Sequence, residues 1–487
     1  MATLRFFLFN LFGNMLPLIV ALVAMPTVAH YAGVERLGVL AVVWTLVGYF
    51  GFLDFGLSRV VTRRLAKAAE QSRTAEELTH LRGFFWWWVF PCLILIALLF
   101  LAGRPFLSGL FHGASFKHEL SAGWVWIAWC LPITLVTNWL RGALEGLQRF
   151  ARINLLRAVF GSWTYAAPAL TAIFHPTIDA MIIAVVSGRV LALMAHVVAC
   201  KQVESGIVMG AVPRHGPGIR QFFKEGGWMS VSNLVSPMMV YFDRFILAAL
   251  VPAEAVAWYA TAQEGMLGMR LIPGALAGVL FPQFAAASDG GALRQITELY
   301  RLALRAIAAL MLPACVLIAT LSYDGMRWWM GDTFALHSYR VVAIVAIGLY
   351  ANSIAQLPFA WLQGVGRSRI TAQIHLLELP IYVFAVYVCV AHWGIEGAAW
   401  IWTVRMIVDC VLLLGMAPRG NDQFALMTGL LGGVLIAVAG LMAGPEWIWQ
   451  WRAAACVLAT VGAGFYAWFG LLNTTDRHSV MRLRHAY

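Results

Sequence analysis

Charged side chains are scarce in this sequence of 487 residues, at 12% of the chain. That share is about half of what a soluble globular domain carries. Apolar residues make up 61%, and they occur in runs of about 20 residues, the length that crosses a bilayer as one helix. The composition therefore excludes a soluble fold, a disordered chain and a small disulfide scaffold. It predicts an all-α polytopic membrane protein.

Lysine is almost absent, with four lysines against 30 arginines. None of the four follows a GxxxxG segment, so the sequence has no Walker A loop for ATP. HExxH, GxSxG and CxxC-type metal patterns are missing as well. We therefore expect a protein that is not an enzyme, has no catalytic residues, and binds no metal and no nucleic acid. The only cofactor we expect is a coupling ion, H+ or Na+.

Fourteen apolar windows separated by short polar breaks predict fourteen transmembrane helices. We divide them into an N-terminal lobe at 1–222, a C-terminal lobe at 223–420, and a segment at 421–487 with two further helices and a tail. The windows lie near 7–30, 38–60, 84–103, 121–140, 154–174, 178–200, 226–250, 255–281, 301–323, 340–362, 371–391, 396–417, 424–443 and 453–472.

The positive charges predict the orientation of these helices. Alternate loops and both termini hold 24 arginines and lysines, whereas the opposite loops hold only six. Because cytoplasmic loops carry the excess of positive charge, we expect both termini in the cytoplasm. The six on the other side are Arg36, Arg104, Lys117, Arg327, Arg340 and Arg452.

The chain matches itself weakly when it is shifted by about 218 residues. Asn14 then meets Asn233, and Arg189 meets Arg405 at nearly the same offset. Six predicted helices separate equivalent positions, so the lobes should be parallel repeats related by an axis along the membrane normal. That symmetry predicts that Arg189 and Arg405 face each other across a central cavity.

Four arginines fall inside predicted helices, where a charge costs about 2.5 to 3.5 kcal/mol on insertion scales. A guanidinium grips a phosphate with two parallel hydrogen bonds, so these residues predict an anion-binding cavity. Neutralisation by a nearby acid is the alternative, and it stays open for Arg244 beside Asp243 and for Arg405 one turn before Asp409. The four are Arg189, Arg405, Arg270 and Arg244.

Other polar and helix-breaking residues complete the candidate site. The acids Glu264, Asp243 and Glu378, with His375 on the same helix face as Glu378, are candidates for ion coupling; a satisfied polar pair is the alternative for the last two. Polar cavity candidates are Asn14, Asn138 and Asn233. Candidate gates or hinges, each of which lacks one backbone hydrogen bond, are Pro17, Pro26, Pro237 and Pro273.

Four segments of the sequence carry a resemblance to a known family. They are NLFGNMLPLIVALVAMPTVAHYAGVERLGVLAVVWTLVGYFGFLDFGLSRVVTRRLA near the amino terminus, and VYFDRFILAAL, AVAWYATAQEGMLGMRLIPGAL and VLFPQFA later. The chain resembles the O-antigen type polysaccharide flippases of the multidrug/oligosaccharidyl-lipid/polysaccharide exporter superfamily over about 1–415. Asp243 and Arg244 match the family's Asp-Arg pair in helix 7, and Arg270, Pro273 and Pro282 match its helix 8 pattern.

The resemblance implies a two-lobed transporter of the bacterial inner membrane. Its substrate would be an undecaprenyl-pyrophosphate-linked oligosaccharide, moved from the cytoplasmic to the periplasmic leaflet by alternating access with ion coupling. Its partners would be that lipid-linked glycan, the bilayer and the polysaccharide polymerase machinery. Two alternatives stay open: a cation-coupled exporter of small molecules, and a glycan-processing enzyme that would use an outer cluster of Asp324, Asp332 and His337.

Overall fold

The computed structural model describes residues 2–51, 53–54, 57–111, 117–208, 235, 238–287, 293–417, 422–441 and 443–472. All regular elements in these ranges are helical, and eight of the helical stretches are long and apolar enough to cross a membrane. The predicted all-α membrane fold is therefore confirmed, while the count of fourteen stays a prediction. The chain forms two compact units, Met1–Ala257 and Trp258–Tyr487, and the predicted lobe boundaries stay a prediction.

The first unit consists of long helices joined by short turns. Its helices are α1 (Ala2–Tyr31), α2 (Val34–Phe50), α3 (Leu57–Glu70), α4 (Thr74–Leu110), α5 (Lys117–Gly146), α6 (Phe150–Phe174), α7 (Ile178–Val203), a 3₁₀ turn (Ser205–Ile207), α8 (Asp243–Leu250) and the start of α9 (Ala253–Leu267). Helix α1 packs along α6, and α7 packs against both α5 and α6. Helices α5, α6 and α7 thus pack together within the first unit.

The predicted span 38–60 is wrong at its C-terminal end. Helix α2 stops at Phe50, and the amphipathic helix α3 begins at Leu57. The Asp54 carboxylate accepts hydrogen bonds from the Ser58 amide at 3.3 Å and from its hydroxyl at 2.5 Å, so it satisfies a free amide in the first turn of α3. The chain packs tightly here, since a Cβ at Gly142 of α5 would lie 2.5 Å from the Ser58 carbonyl oxygen. The apolar window therefore combined the membrane helix α2 with the first turn of the basic helix α3.

The second unit is built around one buried helix. Its elements are a 3₁₀ turn (Gly268–Arg270), α10 (Leu271–Ala287), α11 (Leu293–Thr320), α12 (Ser322–Met330), α13 (Asp332–Gly364), α14 (Ser368–Met416), α15 (Asp422–Leu441) and α16 (Trp449–Tyr466), which ends in a π turn (Ala467–Leu471). Helices α10, α11, α12, α14 and α15 all pack on α13. Most of α13 is buried as a result, so polar residues on the facing helices are held in fixed positions.

Two predicted spans meet inside α14. The windows 371–391 and 396–417 are joined at Gly394, which has φ 56° and ψ −137°. A positive φ of this kind is accessible to glycine at little cost, so Gly394 lets the chain change direction between the two arms. His375 and Glu378 lie on the first arm, and Arg405 lies on the second.

The predicted gate prolines fall in different settings. Pro17 and Pro26 lie inside the continuous helix α1. Pro273 lies in the first turn of α10, directly after the 3₁₀ turn that interrupts the predicted span 255–281, and a proline in a first turn breaks no helical hydrogen bond. Pro237 and Asn233 lie outside the described residues. A role in gating stays a prediction for all four prolines.

Candidate functional site

A cavity of about 160 Å³ lies between helices α5, α6 and α7 of the first unit. We call it the arginine cavity, because three guanidinium groups line it. Its polar lining also includes the buried His196 and Asn138. The polar residues that line it are Thr134, Thr137, Asn138, Arg141, Arg157, Arg189 and His196.

Helical spacing explains why these side chains converge. Thr134, Asn138 and Arg141 follow one another at i, i+4 and i+7 on α5, so they share one face. Arg189 and His196 are separated by seven residues on α7, which also places them on one face. Two apolar helices therefore each present a polar stripe to the same cavity.

Several groups around the cavity are already hydrogen bonded. The Asn138 amide donates to the Gly51 carbonyl at 2.9 Å, and the Arg157 Nη1 donates to the Asn14 Oδ1 at 3.4 Å. The Nε–H of Arg189 is buried and finds no acceptor among the described residues. The site therefore has at least one guanidinium donor available to a ligand.

The cavity carries an excess of positive charge. The lining residues that the structure describes include no aspartate or glutamate, and the acid beside them is Glu145, whose Oε1 lies 3.5 Å from the Arg141 Nε. Charges of one sign in a low-dielectric interior repel each other strongly. An anion with several oxygen atoms, such as a phosphate, would relieve that repulsion and accept the guanidinium hydrogen bonds. Of the predicted site residues, Arg189 and Asn138 line this cavity, and Asn14 contacts Arg157 beside it; the binding of an anion here stays a prediction.

A second charged site lies in the second unit, where the two arms of α14 meet. We call its four residues, His375, Glu378, Arg405 and Asp409, the acid–histidine cluster. The Arg405 Nε lies 3.8 Å from the Glu378 Oε2, and the His375 Nε2 lies 3.4 Å from the Asp409 Oδ1. All four side chains are buried. The alternative for Arg405 is a pair with Asp409 one turn away; the acid whose oxygen lies 3.8 Å from the Arg405 Nε is Glu378. Head-group binding by Arg405 stays a prediction.

The acid–histidine cluster has the composition of a cation site. One donor atom each from His375, Glu378 and Asp409 lies within 4.8 Å of the other two. Neither Glu378 oxygen accepts a hydrogen bond from any described residue. With His375 neutral and both carboxylates ionised, the one guanidinium would balance only one of them, and the cluster would have a net charge of −1. Since an unbalanced buried charge is costly, taking up one proton or one monovalent cation would stabilise it.

The other predicted site residues lie outside these two sites. Asp243 and Arg244, at the start of α8, are 0% and 1% exposed. The Arg244 Nη1 donates to the Thr45 hydroxyl at 3.1 Å, and its guanidinium lies 5.2 Å from the centre of the Tyr241 ring. Asp243 is thus buried in the first unit. The assignment of both residues to substrate or ion binding stays a prediction.

Glu264 and Arg270 lie near the interruption between α9 and α10. Glu264 belongs to the last turn of α9, and Arg270 ends the 3₁₀ turn Gly268–Arg270. Both side chains are partly buried. A 3₁₀ segment inside a long helix often marks a hinge, so Arg270 stands at a break in a membrane helix. Their roles in head-group binding and ion coupling remain predictions.

The predicted outer cluster of Asp324, Asp332 and His337 is dispersed over separate contacts. Asp324 pairs with Arg452 at 3.0 Å, and Asp332 pairs with Arg327 at 2.6 Å. His337 stacks on the Trp258 ring with 3.9 Å between ring centres. Each residue thus has its own structural partner, and the described geometry does not favour a shared catalytic centre.

Six members of the two sites are not among the residues predicted from the sequence. Five line the arginine cavity and the sixth, Asp409, is predicted only as a partner of Arg405; the five are Thr134, Thr137, Arg141, Arg157 and His196. The polar stripe on α5 was visible in the sequence as a threonine, an asparagine and an arginine on one face of an apolar helix. Arg189 and His196, seven residues apart, form a second polar stripe on α7. The two stripes together are the sequence signal that points to this cavity.

Comparisons with known proteins identify the family and the fold of this chain. The family model described as polysaccharide biosynthesis protein matches residues 4–288. The "Putative O-antigen transporter" of Shigella flexneri is 29% identical over 425 residues, which are 86% of this chain and 98% of that protein. The family resemblance read from the sequence is therefore confirmed.

Two solved structures share the fold. The lipid II flippase MurJ in an inward closed conformation superposes with a TM-score of 0.70 at 14% identity, covering 94% of this chain and 98% of that one. An inward-facing multidrug resistance MATE family transporter of the MOP superfamily superposes with a TM-score of 0.66 at 14% identity, covering 89% and 100%. The chain belongs to the polysaccharide biosynthesis protein family and is a multi-pass membrane protein with the fold of MOP-superfamily transporters.

Proposed function

We propose that the protein is a transporter that flips an undecaprenyl-pyrophosphate-linked oligosaccharide from the cytoplasmic to the periplasmic leaflet of the bacterial inner membrane. The observation that carries this proposal is the arginine cavity, with three guanidinium groups and no acid among its described lining residues. The names of an O-antigen transporter and a lipid II flippase among similar proteins support the same substrate class. A lipid-linked glycan of the O-antigen or exopolysaccharide type fits this combination.

Pyrophosphate is the part of the substrate that the arginine cavity would hold. A guanidinium offers two parallel N–H donors that match two phosphate oxygens. Arg141, Arg157 and Arg189 come from three different helices, so they can approach a head group from three directions. A rearrangement of those helices would weaken the contacts of all three guanidinium groups with the pyrophosphate at once. Release of the substrate on the other side of the membrane requires such a loss of contacts.

The acid–histidine cluster supplies the energy coupling in this proposal. Its net charge of −1 with His375 neutral favours one bound proton or sodium ion. A group that binds an ion in one conformation and releases it in the other couples the ion gradient to the conformational change. Asp243 and Glu264 remain candidates for the same role, outside the cluster.

We further propose fourteen membrane passes with both termini in the cytoplasm. The 24-to-six distribution of positive charges supports this orientation. Of the six cations on the outer side, four pair with an acid at 4.0 Å or less: Arg36 with Glu119, Arg327 with Asp332, Arg340 with Glu396, and Arg452 with Asp324.

Reporter fusions test this topology. Fusions after Arg149 and Arg367 should report the cytoplasm, and fusions after Lys117 and Glu254 should report the outside. Two adjacent fusions on one side would contradict the count.

The flipping activity can be measured in proteoliposomes that contain a lipid-linked oligosaccharide. A membrane-impermeant glycosidase outside the vesicles reports how much substrate reaches the outer leaflet. We expect flipping by the wild type, partial loss for Arg189→Lys, which keeps the charge but loses the bidentate grip, and near-complete loss for Arg189→Ala. Arg63→Ala, at an exposed position on α3, is the matched control and should flip normally. Normal flipping by a stably folded Arg189→Ala variant would refute the head-group assignment.

A cation-coupled exporter of small molecules is the second candidate. The acid–histidine cluster and the MATE-like fold favour it, since a cationic drug would also exchange with ions at an acidic site. Uptake of cationic dyes into the same proteoliposomes distinguishes the two. Dye transport without glycan flipping would replace the first proposal with the second.

A further inference from the structure

A groove of about 490 Å³ opens at one end of the second unit, between helices α13, α14 and α15. Its depth is apolar, and it is lined along α13 by Ala343, Ile344 and Ile347 and along α15 by Ala437, Gly440 and Leu441. The eight residues from Arg340 to Ile347 span about 10 Å of helix. The groove therefore accommodates a stretch of hydrocarbon chain rather than a small polar molecule.

A charged cluster closes one end of this groove. Arg340 lies between two carboxylates, with its Nη1 3.6 Å from the Glu396 Oε1 and its Nη2 4.0 Å from the Glu446 Oε1. The Arg340 Nε donates to the Tyr339 hydroxyl at 2.9 Å. Direct N–H···O hydrogen bonds measure about 2.7–3.2 Å, so both carboxylates lie beyond that range from the Nη atoms, which leaves the Nη groups able to donate to a further acceptor. The two acids and one arginine give the cluster a net charge of −1.

The rim of the groove resembles the surroundings of a membrane interface. Trp400 and Trp447 line it and are 47% and 43% exposed, and Leu441 is 77% exposed. Tryptophan is enriched at the level of lipid head groups. The groove thus combines apolar, aromatic and charged lining residues, which suit the acyl chain, the interface region and the head group of a lipid.

We propose that this groove binds a zwitterionic phospholipid with a primary amine in its head group, of the phosphatidylethanolamine class. The phosphate would accept hydrogen bonds from the Arg340 Nη groups, and the ammonium would donate to Glu396 and Glu446. An acyl chain would lie along Ala343, Ile347 and Ala437. In the proposed topology this lipid belongs to the outer leaflet.

The charge pattern separates this ligand from other lipids. A quaternary ammonium has no N–H to give to the two carboxylates, and an anionic head group would face a cluster of net charge −1. A pyrophosphate lipid is more strongly disfavoured for the same electrostatic reason. The groove therefore differs in ligand from the arginine cavity, and its occupancy does not depend on the proposed transport function.

Native mass spectrometry of the full-length detergent-purified protein tests the proposal. The protein is titrated with phosphatidylethanolamine, phosphatidylcholine and phosphatidylglycerol that carry identical acyl chains. A hydrogen bond to a charged group is worth about 1.5 kcal/mol or more, so we expect the ethanolamine lipid to bind about tenfold more tightly than the other two. Equal affinity for all three lipids would overturn the proposal, as would a preference for phosphatidylglycerol.

Two sets of variants locate the site. The double variant Glu396→Gln, Glu446→Gln should lose the preference for the ethanolamine lipid and bind phosphatidylglycerol at least as tightly, because the amides cannot neutralise the ammonium and Arg340 then leaves the cluster with a net charge of +1. Ala437→Phe should fill the groove and weaken the ethanolamine lipid about tenfold, whereas its neighbour Val438→Phe, 53% exposed, should not. If Ala437→Phe fails to fold, the double variant decides alone. An unchanged preference in the double variant would show that the lipid binds elsewhere.

Discussion

The arginine cavity and the acid–histidine cluster differ in the sign of the ion that can neutralise them. The cavity gathers three guanidinium groups with no acid among its described lining residues, whereas the cluster sets two carboxylates and a histidine around one guanidinium. Burial raises the cost of both imbalances. An anion relieves the first and a cation relieves the second. In the proposed function the first site binds the lipid phosphate and the second binds the coupling ion.

The largest expected effect comes from unbalancing the acid–histidine cluster further. Arg405→Leu leaves Glu378 without the guanidinium 3.8 Å away. Removing one partner of a buried ion pair costs about 3–5 kcal/mol of folding free energy, so the melting temperature should fall sharply. The double variant Arg405→Leu, Glu378→Leu should recover most of the loss. A single variant as stable as the wild type would show that Arg405 is not needed to balance these acids.

A smaller effect is expected at the edge of the arginine cavity. Asn14 accepts a hydrogen bond from Arg157 at 3.4 Å, so Asn14→Ala should loosen the position of that guanidinium. A hydrogen bond of this kind contributes about 0.5–1.5 kcal/mol, which corresponds to a two- to tenfold weaker binding of a polyprenyl pyrophosphate. Thr27→Ala on the same helix, whose hydroxyl bonds only its own helix at Val23, is the control. Equal affinities in both variants would remove Asn14 from the site.

The smallest effect concerns Glu35 in the first turn of α2, away from both sites. Partial burial, the hydrogen bond to Glu254 and the charge of Glu254 raise the pKa of Glu35, while Arg36 opposes them. An acid whose pKa is raised on folding stabilises the protein at low pH, and that contribution is lost as the pH rises through the raised pKa. The wild type should therefore lose stability relative to Glu35→Gln as the pH rises above 4.5. Parallel melting curves for the two proteins over this range would contradict the interaction.

Composition and periodicity predicted the class of fold because long apolar runs leave a chain few alternatives to membrane helices. They failed where one apolar run contained two kinds of helix. The window 38–60 ran past the end of α2 at Phe50 into the first turn of α3, where Val60 is apolar and buried, and α3 packs against α5. Hydropathy averages over all faces of a helix, so it cannot separate a lipid-facing residue from one that faces protein.

The site was predicted in part for a related reason. Arg189, Arg405, Glu378 and His375 stood out because each lies inside an apolar window. Arg141 and Arg157 lie near helix ends, where an arginine is ordinary, and only packing of α5, α6 and α7 gives them a common cavity. The partner of Arg405 could not be chosen from spacing either, since Asp409 is one turn away on the same helix and Glu378 lies across the break at Gly394.

The most direct test of two separate sites measures how the binding of the anionic ligand depends on cation and pH in two variants. Binding of a short-chain polyprenyl pyrophosphate to the purified protein is titrated in sodium and in potassium salt at two pH values, for the wild type, Arg189→Ala and Asp409→Asn. We expect Arg189→Ala to bind about ten- to hundredfold more weakly, with the wild type's dependence on cation or pH. Asp409→Asn should keep the wild-type affinity and lose that dependence. If both folded variants changed the same property, or neither changed any, the division into an anion site and a cation site would be wrong.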